Sequence, residues 1–230
     1  SDYIKDKSMS VSKIKATVFS QEQLASDVFS MWLEVGSIAS EAKPGQFISV
    51  YSNDDSKLLP RPISICEIDR ENGRLRIVYR VVGYGTKEFS GCKAGDTLEI
   101  MGPLGNGYTL KKDKAILVAG GIGVPPMLEL AKELDCEKTI VLGYRDELFL
   151  NKEFEQYGKV VIATEDGSCG TKGNVLDAIR AESVDGQVIY SCGPTPMLRA
   201  LKQYAADKGI EAWISLEEKM ACGIGACLAC

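Results

Sequence analysis

The chain has 230 residues, 45% of them hydrophobic and 26% charged, and it carries a net charge of −5. This length is enough for one large domain or two modest ones, each with a hydrophobic core. The acidic balance argues against nucleic-acid binding, no apolar run reaches the roughly 18 residues of a membrane span, and the N-terminal residues contain no apolar signal region.

Cysteine and histidine usage restricts the chemistry further. The sequence has eight cysteines and no histidine. Without a secretion signal, such cysteines are typical of a cytoplasmic protein whose thiols bind metal or take part in reactions, and a disulfide framework is the alternative. The lack of histidine removes the commonest general base and any histidine-liganded zinc or haem. Any proton transfer must therefore use other groups or another subunit.

Short β-rich segments separated by turn residues fill the first half of the chain. Asn72-Gly73 lies between two alternating runs and is a strong hairpin signal. One helical turn is predicted at residues 83–89. The predicted strands cover residues 14–19, 28–35, 46–51, 62–68, 74–81 and 97–101. Many short strands at this spacing favour a small closed barrel or a sandwich.

Two stretches of this half have residue types that suit anion binding. In Arg61-Pro62-Ile63-Ser64 an arginine stands beside a rigid proline, and its guanidinium can bind phosphate through two N–H groups. Residues 79–86, YRVVGYGT, place two glycines and a threonine before a predicted helix, where backbone N–H groups can face an anion. An exposed strand arginine and a plain turn are the alternative interpretations, because short motifs often match by chance.

After residue 111 the pattern changes to apolar strands that alternate with helical segments. The predicted strands are 115–119, 139–143, 160–164, 188–191 and 211–215, and the predicted helices are 124–134, 151–157, 174–181 and 197–208. Apolar runs separated by helices predict a parallel sheet that is covered on both faces.

Two of the strand ends in this half carry glycine-rich turns. The first strand is followed by Gly120, Gly121 and Gly123, a turn that opens a helix and allows a diphosphate to approach the backbone closely. A later strand is followed by Cys192-Gly193-Pro194, and open α/β sheets bind their ligands outside such strand ends. Glycines that only make a tight turn, and a cysteine that only fills a small apolar space, are the alternatives.

Residues 145–147, Arg-Asp-Glu, follow the second strand of the sheet. A lone arginine at this place can meet the 2′-phosphate of NADP, but the two acids beside it would repel that phosphate. We therefore expect NAD rather than NADP.

The last residues contain Cys222, Cys227 and Cys230, in the spacing Cys-x4-Cys-x2-Cys. This spacing matches three of the four ligands of a plant-type [2Fe–2S] cluster. Nearby glycines and alanines let backbone N–H groups approach the sulfur atoms. A structural zinc site is the alternative, although zinc ligands usually come as two Cys-x2-Cys-like pairs and only one is present.

Taken in order, these motifs are similar to the ferredoxin reductase superfamily. The resemblance implies an N-terminal antiparallel flavin-binding β-barrel and a C-terminal Rossmann-like parallel-sheet domain for pyridine nucleotide. Arg61-Pro62 would meet the pyrophosphate or ribityl part of FAD, and Ser64 the edge of its ring. Many relatives have an aromatic residue at the position of Ile63, which offers only an apolar contact. The other implied contacts are Val78, Tyr79 and Arg80 along the flavin, Gly85 and Thr86 at its phosphate, and Cys192, Gly193 and Pro194 near the nicotinamide.

The string LEEKMACGIGAC at residues 216–227 more specifically resembles the electron-transfer subunits of dihydroorotate dehydrogenase B. That family carries FAD and a [2Fe–2S] cluster, uses NAD, and acts in pyrimidine biosynthesis. Its partner is an FMN-containing catalytic subunit that oxidises dihydroorotate, in a heterotetramer with two of each subunit. The family continues to a fourth cysteine, so we expect the fourth ligand beyond Cys230. No side chain of this chain is expected to be catalytic, because its redox centres are cofactors.

The resemblance also suggests domain boundaries, at residues 1–110 for the FAD barrel, 111–215 for the nucleotide domain and 216–230 for the start of the cluster segment. Two other functions fit the same residues less well. One is a reductase subunit of the same superfamily that serves a ferredoxin, a hydrogenase or a sulfur-reducing complex. The other is a zinc-stabilised interaction protein without redox activity.

Overall fold

The computed structural model describes residues 11–53 and 59–216, except for the side chain of Leu216. The predicted cluster ligands Cys222, Cys227 and Cys230 lie outside the described residues. No disulfide joins the cysteines that the structure describes, so the disulfide framework is not found in this part of the chain. None of the helices within the described ranges is long and apolar enough to cross a membrane.

The first half of the chain forms a closed antiparallel barrel, which confirms the barrel and not the sandwich. Asn72-Gly73 turns the chain between the fourth and fifth strands as predicted, and Gly73 has a φ of +66°. The strand order is β1-β2-β5-β4-β3-β6. The elements are β1 (Ser12–Ala25), β2 (Val28–Glu34), α1 (Ile38–Glu41), β3 (Phe47–Val50), β4 (Arg61–Asp69), β5 (Arg74–Arg80), α2 (Tyr84–Ser90) and β6 (Thr97–Leu104).

The second half forms a six-stranded parallel sheet in the order β10-β9-β8-β7-β11-β12. Its strands are β7 (Ala115–Gly120), β8 (Lys138–Tyr144), β9 (Lys159–Thr164), β10 (Thr171–Lys172), β11 (Val188–Gly193) and β12 (Glu211–Leu216). Its helices are α3 (Pro126–Glu133), α4 (Asn151–Phe154), α5 (Val175–Ala181) and α6 (Thr195–Lys208). Every residue of β7 and β11 is buried, as continuous apolar runs predict for central parallel strands.

The barrel and the sheet are packed against each other. Side chains on a strand alternate between its two faces, so Ile77 and Tyr79 of β5 point into the barrel while Arg76, Val78 and Arg80 point out of it. Val78 belongs to the same buried cluster as Leu117 of the sheet. We call this contact region the seam between the barrel and the sheet.

A charged network reinforces one end of the seam. The side chain of Arg76 is only 5% exposed, and one of its nitrogen atoms lies 2.6 Å from both Glu67 of β4 and Glu153 of α4. Its Nε donates to the hydroxyl of Ser30 over 2.8 Å. Arg76 therefore joins three barrel strands to a helix of the sheet.

Candidate functional site

An open cleft of about 720 Å³ lies at the other end of the seam. The barrel contributes the end of β1, the start of β2 and the end of β5, and the sheet contributes the carboxyl ends of its strands. Its lining includes Ala25, Asp27, Val28, Arg80, Gly120, Gly121, Gly143, Arg145, Asp146, Glu147, Glu165, Pro194 and Met197. The volume falls within the roughly 300–1,000 Å³ range of small-molecule sites.

Glycines at the sheet end of the cleft allow close backbone packing and leave room for a ligand. A Cβ on Gly123 would lie 2.4 Å from the carbonyl oxygen of Cys192, so this position tolerates only glycine. A Cβ on Gly120 would lie 2.7 Å from the sulfur of Met197. Gly121 has a φ of +54° and no atom within 4 Å of its missing Cβ, so a ligand can come close to its backbone.

The Cys192 region lies at the same strand ends. Cys192 is buried in the seam cluster, next to Ala119 on β7 and Ser215 on β12. Pro194 lines the cleft and directly precedes α6. A 14-residue helix begins here, and a helix N-terminus favours an anionic group. The structure thus brings the predicted residues 120–123 and 192–194 to one edge of the sheet.

A second candidate site lies where β4 and β5 separate. Within the described residues, the pairing of these strands extends from Asp69↔Arg74 to Ile65↔Ile77 and stops there. Beyond that point Arg61–Ser64 pair with β3, and Val78–Arg80 pair with β2. Each of these segments has one backbone edge that takes no part in the β4–β5 ladder, and a ligand can use the N–H and C=O groups there.

Arg61 and the start of α2 touch at this second site. A Cβ on Gly85 would lie 3.0 Å from Nε of Arg61, so glycine allows the arginine to lie across the helix start. The hydroxyl of Thr86 accepts from the N–H of Val82 over 2.7 Å and lies 3.0 Å from its carbonyl oxygen. Thr86 therefore stabilises the turn that leads into α2.

Strand alternation divides the predicted flavin-lining residues into two groups. Ile63, 7% exposed, and Tyr79, 2% exposed, point into the barrel. The hydroxyl of Tyr79 donates to Oε1 of Gln21 over 2.6 Å, and burial raises the pKa of this tyrosine. Val78 and Arg80 point towards the sheet. Only the second group presents side chains to the seam.

Two contacts at the cleft involve residues that the sequence did not single out. Asp27, in the turn between β1 and β2, accepts from Arg80 through both carboxylate oxygens, at 2.8 and 2.7 Å. Its neighbour Ser26 donates from both its backbone N–H and its hydroxyl to the carboxylate of Glu147. These hydrogen bonds lower the pKa of Glu147. The sequence could not predict either contact, because Asp27 and Arg80 are 53 positions apart and Ser26 and Glu147 are 121 positions apart.

Comparison with known proteins shows relatives along nearly the whole chain. Residues 15–108 match the oxidoreductase FAD-binding domain family. The dihydroorotate dehydrogenase B (NAD(+)) electron transfer subunit of Fusobacterium nucleatum is 43% identical over 228 residues, which cover 93% of this chain and 87% of that protein. The subunit of the same name from Bacillus caldolyticus is 41% identical over 230 residues, covering 96% and 89%.

Solved structures share the fold. A chain of the NADH-dependent reduced ferredoxin-NADP oxidoreductase superimposes with a TM-score of 0.86 at 32% identity, covering 94% of this chain and 80% of that one. The flavohemoglobin of Malassezia yamatoensis, solved with bound FAD and heme, gives a TM-score of 0.72 at 23% identity over 89% and 60%. At that identity it shows the fold alone. The first match confirms the barrel followed by a parallel sheet.

Proposed function

The chain belongs to the family of dihydroorotate dehydrogenase B electron transfer subunits, and from this we propose that it carries electrons between a dihydroorotate-oxidising FMN subunit and NAD⁺ in pyrimidine biosynthesis. It is an FAD-binding oxidoreductase subunit, and its family implies a catalytic partner subunit. The observation that carries the proposal is the identity of about 40% to such subunits over nearly the whole chain. We further propose a [2Fe–2S] cluster and an assembly with two copies of each subunit.

The region where β4 and β5 separate fits FAD. Its backbone edges at Arg61–Ser64 and Val78–Arg80 can hydrogen-bond to a flavin ring, and Arg61 can pair with pyrophosphate beside Gly85. Ile63 and Tyr79 would support the ring from inside the barrel by fixing these edges. Bound FAD would exchange two electrons with a nicotinamide and single electrons with an iron–sulfur cluster.

The cleft fits a dinucleotide. We propose that the glycine turn at Gly120–Gly123 and the start of α6 at Pro194 hold its phosphates, and that Cys192 and Gly193 shape the nicotinamide end. Asp146, Glu147 and Glu165 line the same cleft as Arg145. With Asp27 and Arg80, the lining carries four carboxylates and two arginines, and this acidic excess supports NAD over NADP because it would repel a 2′-phosphate.

The path of the chain supports a cluster next to these sites. The last residue of β12, Leu216, is paired with Gly193 at the ligand-binding edge of the sheet. The segment that contains Cys222, Cys227 and Cys230 therefore starts at this edge. The described residues contain no other group of three potential metal ligands. We propose that these three cysteines are ligands of a [2Fe–2S] cluster, and that the domains meet near residues 110 and 215.

The test is expression of the full-length subunit with its partner under iron-replete conditions, followed by visible spectroscopy. We expect flavin and iron–sulfur absorbance together with dihydroorotate-dependent reduction of NAD⁺. Cys227→Ser should remove the iron–sulfur bands and the dihydroorotate-linked activity, while FAD content and NADH–dye reduction persist. A preparation without flavin would contradict the assignment, and zinc in place of iron would contradict the cluster.

A further inference from the structure

The contact between Ser26 and Glu147 crosses the rim of the dinucleotide cleft. Ser26 belongs to the two-residue turn between β1 and β2, and Glu147 to the loop after β8. The backbone N–H of Ser26 donates to Oε2 of Glu147 over 2.8 Å, and the Ser26 hydroxyl donates to Oε1. We call this pair the rim contact. It links the barrel to the sheet beside Ala25 and Asp27, which line the cleft together with Glu147.

The barrel side of the rim contact is held in place by its own neighbours. Asp27 receives both hydrogen bonds from Arg80, and its carbonyl oxygen accepts from the N–H of Val81 over 2.7 Å. Ala25 and Val28 on either side of the turn line the cleft. The turn is thus fixed to the end of β5 and forms a wall of the cleft.

The sheet side is also fixed. The hydroxyl of Tyr144 donates to the carbonyl of Phe149 over 2.6 Å, which closes the base of the loop 145–148. The rings of these two residues pack edge to face, with centroids 5.3 Å apart. At the tip, Oδ1 of Asp146 accepts from the N–H of Glu147 over 2.7 Å. Glu147 therefore reaches the barrel from a loop that is already ordered.

The rim contact is weak enough to open and close. Ser26 and Glu147 are both exposed, so water competes for their hydrogen bonds and the net stabilisation is small. At the other end of the seam, the side chain of Arg76 is only 5% exposed and that of its partner Glu67 is 18% exposed, although Glu153 is 41% exposed. Opening at the rim therefore costs little, whereas separation at the Arg76 end costs much more.

We propose that the rim contact closes over bound pyridine dinucleotide and sets how long it stays, with Ser26 and Glu147 acting as positioning residues. This inference rests on the proposed use of NAD. Both carboxylate oxygens of Glu147 are engaged by Ser26, which distinguishes this role from direct recognition of a ribose hydroxyl by Glu147.

The test measures NADH binding without hydride transfer. The holoprotein is first reduced with dithionite, so that it cannot accept hydride, and association and dissociation rate constants are followed by stopped-flow nicotinamide fluorescence. We expect Glu147→Ala, which removes both hydrogen bonds of the rim contact, to raise the dissociation rate constant about fivefold, with a smaller rise in the association rate constant. Ser26→Ala removes only the hydroxyl bond and keeps the backbone N–H, so it should raise the dissociation rate constant about twofold. Glu147→Gln keeps one acceptor oxygen and should give an intermediate value. Glu155 is an exposed acid that follows α4 and is not among the cleft-lining residues, so Glu155→Ala should match wild type.

The double variant Ser26→Ala/Glu147→Ala decides between a shared and a separate role. If the two residues act as one contact, the double variant releases NADH no faster than Glu147→Ala alone, because Glu147→Ala already removes both hydrogen bonds. If the Ser26→Ala substitution accelerates NADH release by the same factor in the Glu147→Ala background as in wild type, the two residues act separately, Glu147 contacts the nucleotide directly, and the inference is overturned. If neither substitution changes the rate constants of NADH binding, the inference about the rim contact is overturned but the proposed function is not. No NADH binding by wild type overturns the proposed function as well.

Discussion

Arg76 and Arg80 lie on the same outward face of β5, about 13 Å apart along the strand, yet they stand at opposite ends of the seam. The side chain of Arg76 is 5% exposed and is enclosed by Glu67, Glu153 and Ser30. The side chain of Arg80 is 35% exposed and has one carboxylate partner, Asp27, at the cleft.

This difference shows how one strand can serve both assembly and binding. Val78 lies between the two arginines and packs against the sheet, so apolar contact continues from one end to the other. At the Arg76 end the guanidinium is buried and pairs with carboxylates of both halves, which holds the two halves together. At the Arg80 end water and ligands can enter. We expect the closed end to govern stability and the open end to govern binding.

The largest expected effect is at the closed end. Arg76→Met removes the cation but keeps an unbranched side chain, and it leaves Glu67 and Glu153 close together without a counter-charge. Because Arg76 and Glu67 are largely withdrawn from water while Glu153 is 41% exposed, this substitution should lower the free energy of unfolding by about 2–3 kcal/mol. Urea denaturation followed by circular dichroism measures this loss.

The matched control for this substitution is Arg180→Met. Arg180 is 66% exposed and pairs with Asp177 one turn away in α5, so its loss should change the free energy of unfolding by about 0.5 kcal/mol or less. Equal losses of unfolding free energy in the two variants would show that the Arg76 network stabilises the protein no more than an exposed surface pair does. The two ends of the seam would then not differ in their contribution to stability.

Much of this architecture could be predicted from local sequence patterns. Apolar runs such as 115–119 and 188–191 became the central parallel strands, and Asn72-Gly73 became the predicted hairpin, because these signals depend on neighbouring residues only. The two-residue strand β10 and the four-residue helix α1 were not predicted, since so few residues give no measurable period. Helix α3 begins at Pro126, after a short 3₁₀ turn at Gly121–Gly123.

The candidate site was harder to predict in detail. Val78, Tyr79 and Arg80 were grouped as one flavin-lining set, although strand alternation places Tyr79 inside the barrel. This alternation has a period of two residues along β5 and is visible in the sequence itself. The contacts of the seam could not be read in this way, because Arg76 and Glu153 are 77 positions apart and no local pattern pairs them. Long-range charge pairing emerges only when the two halves are packed together.

A smaller effect on stability is expected from the ionisation of Glu129 in α3. This residue lies at the closed end and is fully buried against β4. The N–H of Ile68 donates to its Oε2 over 3.1 Å. Burial raises the pKa of Glu129 to about 8, with a further upward contribution from a hydrogen bond with Glu133. Arg70 and Lys132 face the same carboxylate at 3.8 and 4.0 Å and do not offset the burial.

The sign of the resulting pH dependence follows from the raised pKa. The folded protein binds the Glu129 proton more tightly than the unfolded chain, so this stabilisation is complete at acidic pH and is lost as the pH rises through about 8. Glu129→Gln cannot titrate. Between pH 5 and pH 9 we therefore expect the Tm of wild type to fall by roughly 5 °C more than that of the variant. Parallel curves of Tm against pH would show that Glu129 is charged in the folded protein.

The smallest effect is expected at the open end, where Asp27→Asn removes the counter-charge of Arg80 but keeps the shape of the turn. The two side chains of this pair are 35% and 46% exposed, so water already solvates both charges. The free energy of unfolding should fall by about 0.5 kcal/mol, and this difference should vanish in roughly 1 M salt, where exposed pairs are screened. Arg76→Met should keep most of its effect in the same salt, because the side chain of Arg76 is only 5% exposed and screening ions do not reach it. Asp27→Asn could instead lower the free energy of unfolding as much as Arg76→Met does, or its effect could persist equally in salt. Either result would mean that the open end also holds the two halves together, and that the cleft opens elsewhere.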